Sequence, residues 1–421
     1  MPDSQISGFY KKTLDDRRKF VKEFAGLSDE DMNVISNTGA IDEGLIDRMI
    51  ENVIGTFDLP LGVAVNFLVN GKDYIVPMAI EEPSVVAAAS NLAKIARVKG
   101  GFHCTMTEPV MISQIQLVDV ADPFASKMKI MEHKDEILKL ANEQDPILIK
   151  FGGGARDLEV RVLDSRSGPM VVTHLHVDTR DAMGANAVNT MAEAVAPLIE
   201  RITGGRVYLR ILSNLADRRL VRVRAVFDKE KLGGEEVVDG MIAAYHFADA
   251  DPYRAATHNK GIMNGIISVV RATGNDTRAV EAGAHSYASR NGKYGSLTTY
   301  EKDTDGNLVG TLEMPMPVGL IGGATAVHPV AKACVKILGV KTAAELSHIT
   351  GAVGLAQNAA AMKALATEGI SRGHMSLHAR NIAVMAGAKT EEIDMVVEEL
   401  VKSGKVRMDK ASEILKKIRG E

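Results

Sequence analysis

The sequence predicts an α+β chain in which a small βαββαβ unit is inserted into a larger, mostly helical domain. Three observations carry that reading. The 421 residues exceed what one hydrophobic core usually serves. Residues 110–212 read strand, helix, hairpin, helix, strand, the split βαβ order of a ferredoxin-like domain. The segments on either side carry alanine-rich stretches with helical apolar spacing, and they must complete a second core together.

Each element has its own signal. Leu27 to Gly55 reads as helical, with Ser28 capping Asp29 onward and Asp42 preceding apolar positions at Leu45, Met49 and Val53. Val63 to Ile80 alternates around Asn70-Gly71, a hairpin turn pair that accepts positive φ at both positions. Pro83 opens a helix to about Arg97, ended by Gly100-Gly101. In the inserted unit, Val110 to Val120 is a strand, and Asp122-Pro123 starts a helix ending near Asn142. Leu158 to Leu163 and Met170 to Val177 form a hairpin around Ser167-Gly168. Asn186 to Ile202 is an amphipathic helix closed by Gly204-Gly205, and Val207 to Leu212 is the last strand. Helices follow over Val237 to Ala250, Asn259 to Ala272 and Thr277 to Ser289, then a strand pair near Gly295 to Thr311. A turn at Gly319 to Gly323 leads into helices reaching Leu365. From about Glu368 the chain passes Gly369 and Gly373 into a charged helical tail; these glycines suit a hinge, although helix punctuation is their commoner use.

Composition excludes several partners. With 50 Lys plus Arg against 54 Asp plus Glu, the net charge of -4 offers no field for a polyanion, so nucleic acid is not expected. Met1 to Phe20 is charged and has no apolar stretch, so it reads as neither signal peptide nor membrane anchor. Val318 to Val340 is interrupted by His328, Lys332 and Lys336, and a membrane span is not expected there. Cys104 and Cys334 form no metal-type pair or disulfide framework, which fits a reducing cytoplasm.

Several residues have chemistry in reach. His258-Asn259-Lys260-Gly261 reads as a helix start, where a cation opposes the macrodipole. Lys260 is then either a solvated lysine or a partner for a developing oxyanion. Glu82, in Glu81-Glu82-Pro83, is an ordinary helix-start acid or a proton donor whose pKa must be raised. Asp276 reads first as an N-cap or, paired with a buried lysine, as the group that would keep that lysine charged. His374 and His378 have helical i,i+4 spacing, but no third ligand accompanies them, so no metal is expected. His374 is a surface histidine or a mobile general acid. No G-x-G-x-x-G occurs, and Gly152-Gly153-Gly154 is as readily a plain turn. Asp178 to Asn186 links a strand to a long helix, and is either a tight glycine turn into a capped helix or a loop whose N–H groups receive a pyrophosphate at the helix N-terminus.

Six strings taken in order then point further: Glu51-Asn52-Val53-Ile54-Gly55, Glu81-Glu82-Pro83-Ser84, Asp181-Ala182-Met183-Gly184-Ala185-Asn186, Thr257 through Gly265, Gly274-Asn275-Asp276 and Gly373-His374-Met375. In this order they resemble the 3-hydroxy-3-methylglutaryl-CoA (HMG-CoA) reductases over nearly the whole chain, most closely the class II enzymes of bacteria and archaea of the mevalonate-degrading, NAD-dependent kind. The resemblance implies two-hydride interconversion of HMG-CoA with mevalonate plus CoA, through mevaldyl-CoA and mevaldehyde. It implies a large substrate domain from residues 1–108 and 219–374, a cofactor domain at 109–218 and a C-terminal flap at 375–421. It further implies a homodimer, which may assemble further, whose active sites are shared between subunits. By motif, Lys260 would stabilise the reacting oxygen, Glu82 would exchange its proton, Asp276 would tune both and His374 would protonate the leaving thiolate. Ser84, Arg254 and Asn264 match substrate contacts. Asp145, Asp181, Met183, Gly184, Asn186 and Asn214 match cofactor contacts, with Asp145 facing the adenosine ribose and favouring NAD.

Two rivals stand beside this reading. A ferredoxin-like RNA-binding module would need stacking aromatics, but aromatics are 4% of the chain and Trp is absent. An unrelated CoA-ester oxidoreductase would share the chemistry but not the ordered strings.

Overall fold

The computed structural model describes residues 12–25, 27–367, 369 and 379–420. Helices α1 (Leu14–Ala25), α2 (Asp29–Ser36) and α3 (Glu43–Met49) come first, so the Leu27 to Gly55 region holds two short helices and not one long one. Asp42 caps α3 by accepting from Gly44 N–H. Strands β1 (Leu61–Val69) and β2 (Lys72–Ala79) form the hairpin, with φ of 48° at Asn70 and 78° at Gly71. α4 (Val85–Arg97) and β3 (Phe102–Met106) follow.

The chain then builds a second sheet from β4 (Val110–Val118), β5 (Gly154–Leu163), β6 (Met170–Asp178) and β7 (Arg206–Ser213). The strands pair antiparallel in the order β5-β6-β4-β7, the ferredoxin-like arrangement. Alternation along the strands sends Met111, Ile115, Leu117, Leu158, Val160, Leu175 and Val177 into a core with Val188, Met191, Val195 and Ile199 of a helix, α8 (Ala185–Thr203). The helix expected to run to Asn142 is broken at His133 into α5 (Pro123–Glu132) and α6 (Lys134–Asn142). A further short helix, α7 (Pro146–Lys150), was not foreseen. Asp145 caps it, accepting from Leu148 N–H at 2.9 Å, so Asp145-Pro146 begins a helix and does not merely end one.

β8 (Leu220–Phe227) returns beside β3, so the insertion leaves and re-enters the large sheet at neighbouring strands. The remaining elements are α9 (Lys229–Leu232), α10 (Glu235–Ala250), α11 (Pro252–Ala272), α12 (Thr277–Ala288), β9 (Thr298–Lys302), β10 (Leu308–Pro315), α13 (Gly323–Val327), α14 (Pro329–Leu338) and α15 (Ala343–Ala366). The six strands of the large sheet run β2-β1-β3-β8-β10-β9, with Phe67 stacked on Phe102 and Phe227 edge-on to Phe102 in its core. α15 is apolar nearly all round because it is enclosed, packing on α4, α10, α11 and the sheet. It meets α11 through small residues. A Cβ added to Gly265 would lie 2.9 Å from the Gln357 Cβ, and one on Gly354 would lie 2.7 Å from Ile266 Cδ1. Both helices therefore need glycine at this crossing.

One buried side chain spans the two cores. Arg219, with no exposed surface, donates to Thr179 Oγ1 (2.9 Å) and the Ala182 carbonyl (2.9 Å) on one side and to the Val318 carbonyl (2.6 Å) on the other. Burial lowers its pKa to about 10, partly offset by the carboxylates of Asp181 and Asp178. The tail, with helical turns at 379–385 and helices Thr390–Ser403 and Met408–Arg419, packs around its own small core, including Ala383, Val396, Leu400 and Leu415. Among the described residues no helix is long and apolar enough to cross a membrane.

Candidate active site

α11 carries Lys260, and its start corrects the sequence reading. The helix begins at Pro252, with Asp251 accepting from the N–H groups of Tyr253 and Arg254, and not at His258. Lys260 therefore lies in the third turn, and the expected conflict with the macrodipole does not arise. The two residues before it are clamped from below. His258 Nε2 contacts Thr298 Oγ1 at 2.7 Å and Ser296 Oγ at 2.9 Å. Asn259 donates to the Gly295 carbonyl at 2.9 Å and accepts from Leu297 N–H at 3.1 Å. Asn358 Oδ1 accepts from Thr298 and from Tyr300. Burial, aided by the Arg254 charge, pushes the His258 imidazole down to about 3, so the ring is neutral. Sequence reasoning found the string but missed that His258 and Asn259 are fasteners.

Glu82 lies in the turn between β2 and α4. Lys260 Nζ donates to Glu82 Oε2 at 3.0 Å, and Asn264, one turn further along α11, donates to the same oxygen at 3.3 Å. The lysine side chain is 62% exposed and the glutamate 36%, so the pair adds little to stability. It presents an ammonium and a carboxyl group to whatever binds above it. Ser84 follows with φ of 77°, a left-handed conformation that a non-glycine residue adopts only under local constraint.

A cleft of about 710 Å³ opens between the inserted unit and the large core. Asp145, Met183, Gly184 and Asn186 line one wall, and Asn275, Asp276 and Gly322 line the other. Gly184, at φ of 95°, is the N-cap of α8 and brings no side-chain cap to it. The first N–H groups of this 19-residue helix are thus left to a ligand, as a pyrophosphate requires. The space and the uncapped helix fit a dinucleotide.

The hydroxymethylglutaryl-coenzyme A reductase family model matches residues 13–379. The chain belongs to that family. It is 61% identical to the 3-hydroxy-3-methylglutaryl-coenzyme A reductase of Archaeoglobus fulgidus over 416 residues, covering 99% of this chain and 95% of that protein. A probable reductase of Borreliella burgdorferi is 37% identical, over 98% of this chain and 95% of that protein. A class II reductase structure from Streptococcus pneumoniae, bound to NADPH, superposes with a TM-score of 0.77 at 42% identity, over 97% of this chain and all of that one. This chain is a nicotinamide-dependent HMG-CoA reductase of the class II kind, an oxidoreductase that interconverts HMG-CoA with mevalonate plus CoA.

The reductase does not gather every expected site residue in one place. Glu82, Lys260 and Asn264 meet, but the hydrogen bonds of Asp276 go to the Arg278 side chain (3.1 and 3.2 Å) and to the N–H groups of Arg278 and Ala279. Asp276 is the N-cap of α12, and the Arg278 guanidinium holds its carboxyl below the usual range. Asp181 turns its carboxylate to the Ala343 N–H at 2.7 Å, fastening α15 to the cofactor loop and not lining the cleft. Asn214 is exposed after β7 and also lies outside the cleft lining. Arg254 is half-buried in the first turn of α11, and burial lowers its pKa with no carboxylate to offset it. His374 lies outside the described residues.

Proposed function

We propose that this reductase prefers NAD(H) to NADP(H), and that Glu82, Lys260, Asp276 and His374 carry its reaction in a site completed by two copies of the chain. The carrying observation is the 3.0 Å contact between Lys260 and Glu82. Lys260 Nζ offers a positive charge and N–H donors to the thioester carbonyl oxygen, which becomes anionic as the carbon is reduced. Glu82 gives that oxygen its proton and takes it back in the oxidative direction. Asn264 holds the carboxyl group of Glu82 in place. Arg254, a half-buried guanidinium without a carboxylate partner of its own, pairs the substrate carboxylate, and Ser84 contacts the substrate beside Glu82. His374 protonates the departing CoA thiolate.

Asp145, Met183, Gly184 and Asn186 would hold the dinucleotide, which supplies a hydride twice per turnover. Asp181 supports that wall from outside the cleft, and Asn214, exposed after β7, would add a cofactor contact. Asp145 faces the cleft with a carboxylate, which accepts from a ribose 2′-OH and repels a 2′-phosphate. The placement of the two groups supports shared sites. Asp276 lines the cofactor cleft, whereas Glu82 and Lys260 do not. A second copy that sets its Glu82 and Lys260 against the cleft of the first would join the halves. We place the enzyme in the cytoplasm, where the two buried free cysteines stay reduced.

The test is oxidation of mevalonate in the presence of CoA, with NAD or NADP, followed by absorbance of the reduced nicotinamide. A higher kcat/KM with NAD and a dimer or larger by light scattering are expected. A preference for NADP, or a fully active monomer, overturns the respective part.

A further inference from the structure

We propose that Glu159, His174 and His176 form a site for a divalent transition-metal ion of the zinc type, on the face of the small sheet that turns away from α8. Sequence spacing offered only Cys104 with Cys334 and, at helical spacing, His374 with His378, so no metal was expected. A strand provides the other geometry. His174 and His176 are two apart on β6 and share one face, and the register sets Glu159 of β5 directly opposite His174. One ligand atom from each residue lies within 4.8 Å of the other two. Tetrahedral zinc with bonds of about 2.1 Å holds its ligands about 3.4 Å apart, so closure needs about an ångström of side-chain movement.

A cavity of about 250 Å³ is lined by these three residues together with Gln114, Asp217 and Arg218. His176 Nε2 is buried and has no hydrogen-bond partner, a ligand atom already stripped of water. Gln114 Nε2 donates to His174 Nε2 at 2.9 Å; with the amide turned over, its oxygen would accept from the Nε2–H of a ring bound through Nδ1, the partner that metal-bound imidazoles keep. Arg218, 3.6 Å from Glu159 Oε2, opposes a dication, and Asp217 offsets it. Arg161 lines the same cavity with its Nε buried and unpartnered, which suits an anionic fourth ligand such as hydroxide or chloride.

The cavity shares no lining residue with the cofactor cleft, so the ion would have no part in the reaction. It would instead tie β5 to β6 two residues before Asp178, where β6 ends and the chain enters the Asp181–Asn186 loop.

The untagged full-length chain, stripped with chelator, is titrated with Zn²⁺ by calorimetry and by competition with a chromophoric chelator. One ion per chain and a raised melting temperature are expected. Glu159→Gln and His176→Asn should each weaken binding at least about 100-fold, since loss of an outer partner alone costs about 10- to 100-fold. His246→Gln, an exposed histidine elsewhere, should bind as wild type does. Glu159 is exposed and its amide has the same shape, so a folded Glu159→Gln protein that binds Zn²⁺ like wild type overturns the proposal by itself. Wild-type affinity weaker than millimolar also overturns it. So does a thermal shift with inorganic phosphate that Zn²⁺ does not reproduce, which would make this an anion site.

Discussion

Lys260 and Glu82 lie 178 positions apart in the chain and meet at 3.0 Å, with Asn264 holding the same carboxylate oxygen. If the ammonium stabilises the oxygen in both reductive steps, Lys260→Ala should lower the rates with HMG-CoA and with free mevaldehyde alike. The expected loss is about 100- to 1,000-fold, that of an oxyanion donor. Near-normal turnover by the folded variant would remove Lys260 from the mechanism.

His374 should separate the two steps that Lys260 unites. A thiolate leaves only when the thioester is the substrate, so His374→Gln should impair reduction of HMG-CoA and spare that of mevaldehyde. An equal loss in both assays would assign the histidine to hydride transfer or to structure.

Shared sites make a prediction that no single chain can meet. Lys260→Ala protein and a Thr190→Trp protein, whose cofactor cleft is filled from α8, should each be inactive alone. Mixed and allowed to exchange subunits, they should regain activity, because a hybrid dimer contains one site with both parts intact. Absence of recovery, with hybrids demonstrated by mass, would place the whole site within one chain.

Asp145 performs two tasks, and the kinetic one can be isolated. Asp145→Asn keeps an oxygen for the Leu148 N–H and so preserves the start of α7, but it removes the charge facing the cleft. The kcat/KM ratio of NAD to NADP should fall about tenfold, the equivalent of about 1.4 kcal/mol of lost repulsion. An unchanged ratio would leave Asp145 a helix cap only.

The buried His258 sets an acid limit. Its imidazole titrates at about 3 when folded and at the ordinary value of 6.5 when exposed, so the unfolded chain binds the extra proton between these values. Stability from this group is complete above pH 6.5 and falls as the pH drops toward 3, by at most about 1.4 kcal/mol per pH unit. His258→Gln should be less stable at neutral pH, and its melting temperature should depend less steeply on pH between 6.5 and 4.5. Parallel curves for the two proteins would mean that His258 is already protonated in the fold.

Much of this was legible locally. The hairpin at Asn70-Gly71 and the long helix before Gly204 declare themselves through turn chemistry and spacing, and the small sheet follows from the strand, helix, hairpin, helix, strand order of residues 110–212. The start of α11 was hidden because Asp251-Pro252 precedes polar residues, and the apolar period becomes visible only after Lys260. The order β3-β8-β10 was not readable, since pairing between partners such as Phe227 and Leu308 or Phe102 and Ala225, far apart in the chain, leaves no local trace. The meeting of Glu82 and Lys260 came from the family resemblance; spacing alone left both as ordinary surface charges. Asp181 shows what motif strings leave out, because its carboxylate accepts from the Ala343 N–H, a contact no spacing announces.

Arg219 governs how the molecule comes apart. Its guanidinium is enclosed, and its partners Thr179 and Ala182 belong to the inserted unit while Val318 belongs to the large core. If the small sheet melted first, the guanidinium would lose Thr179 and Ala182, a cost of about 3–5 kcal/mol for a charge stripped of its partners. That cost couples the two units, and heat should remove them in one cooperative transition although each has its own sheet. A fragment spanning 109–218 would lack the arginine that seals its cofactor loop and should not hold that loop in its native shape.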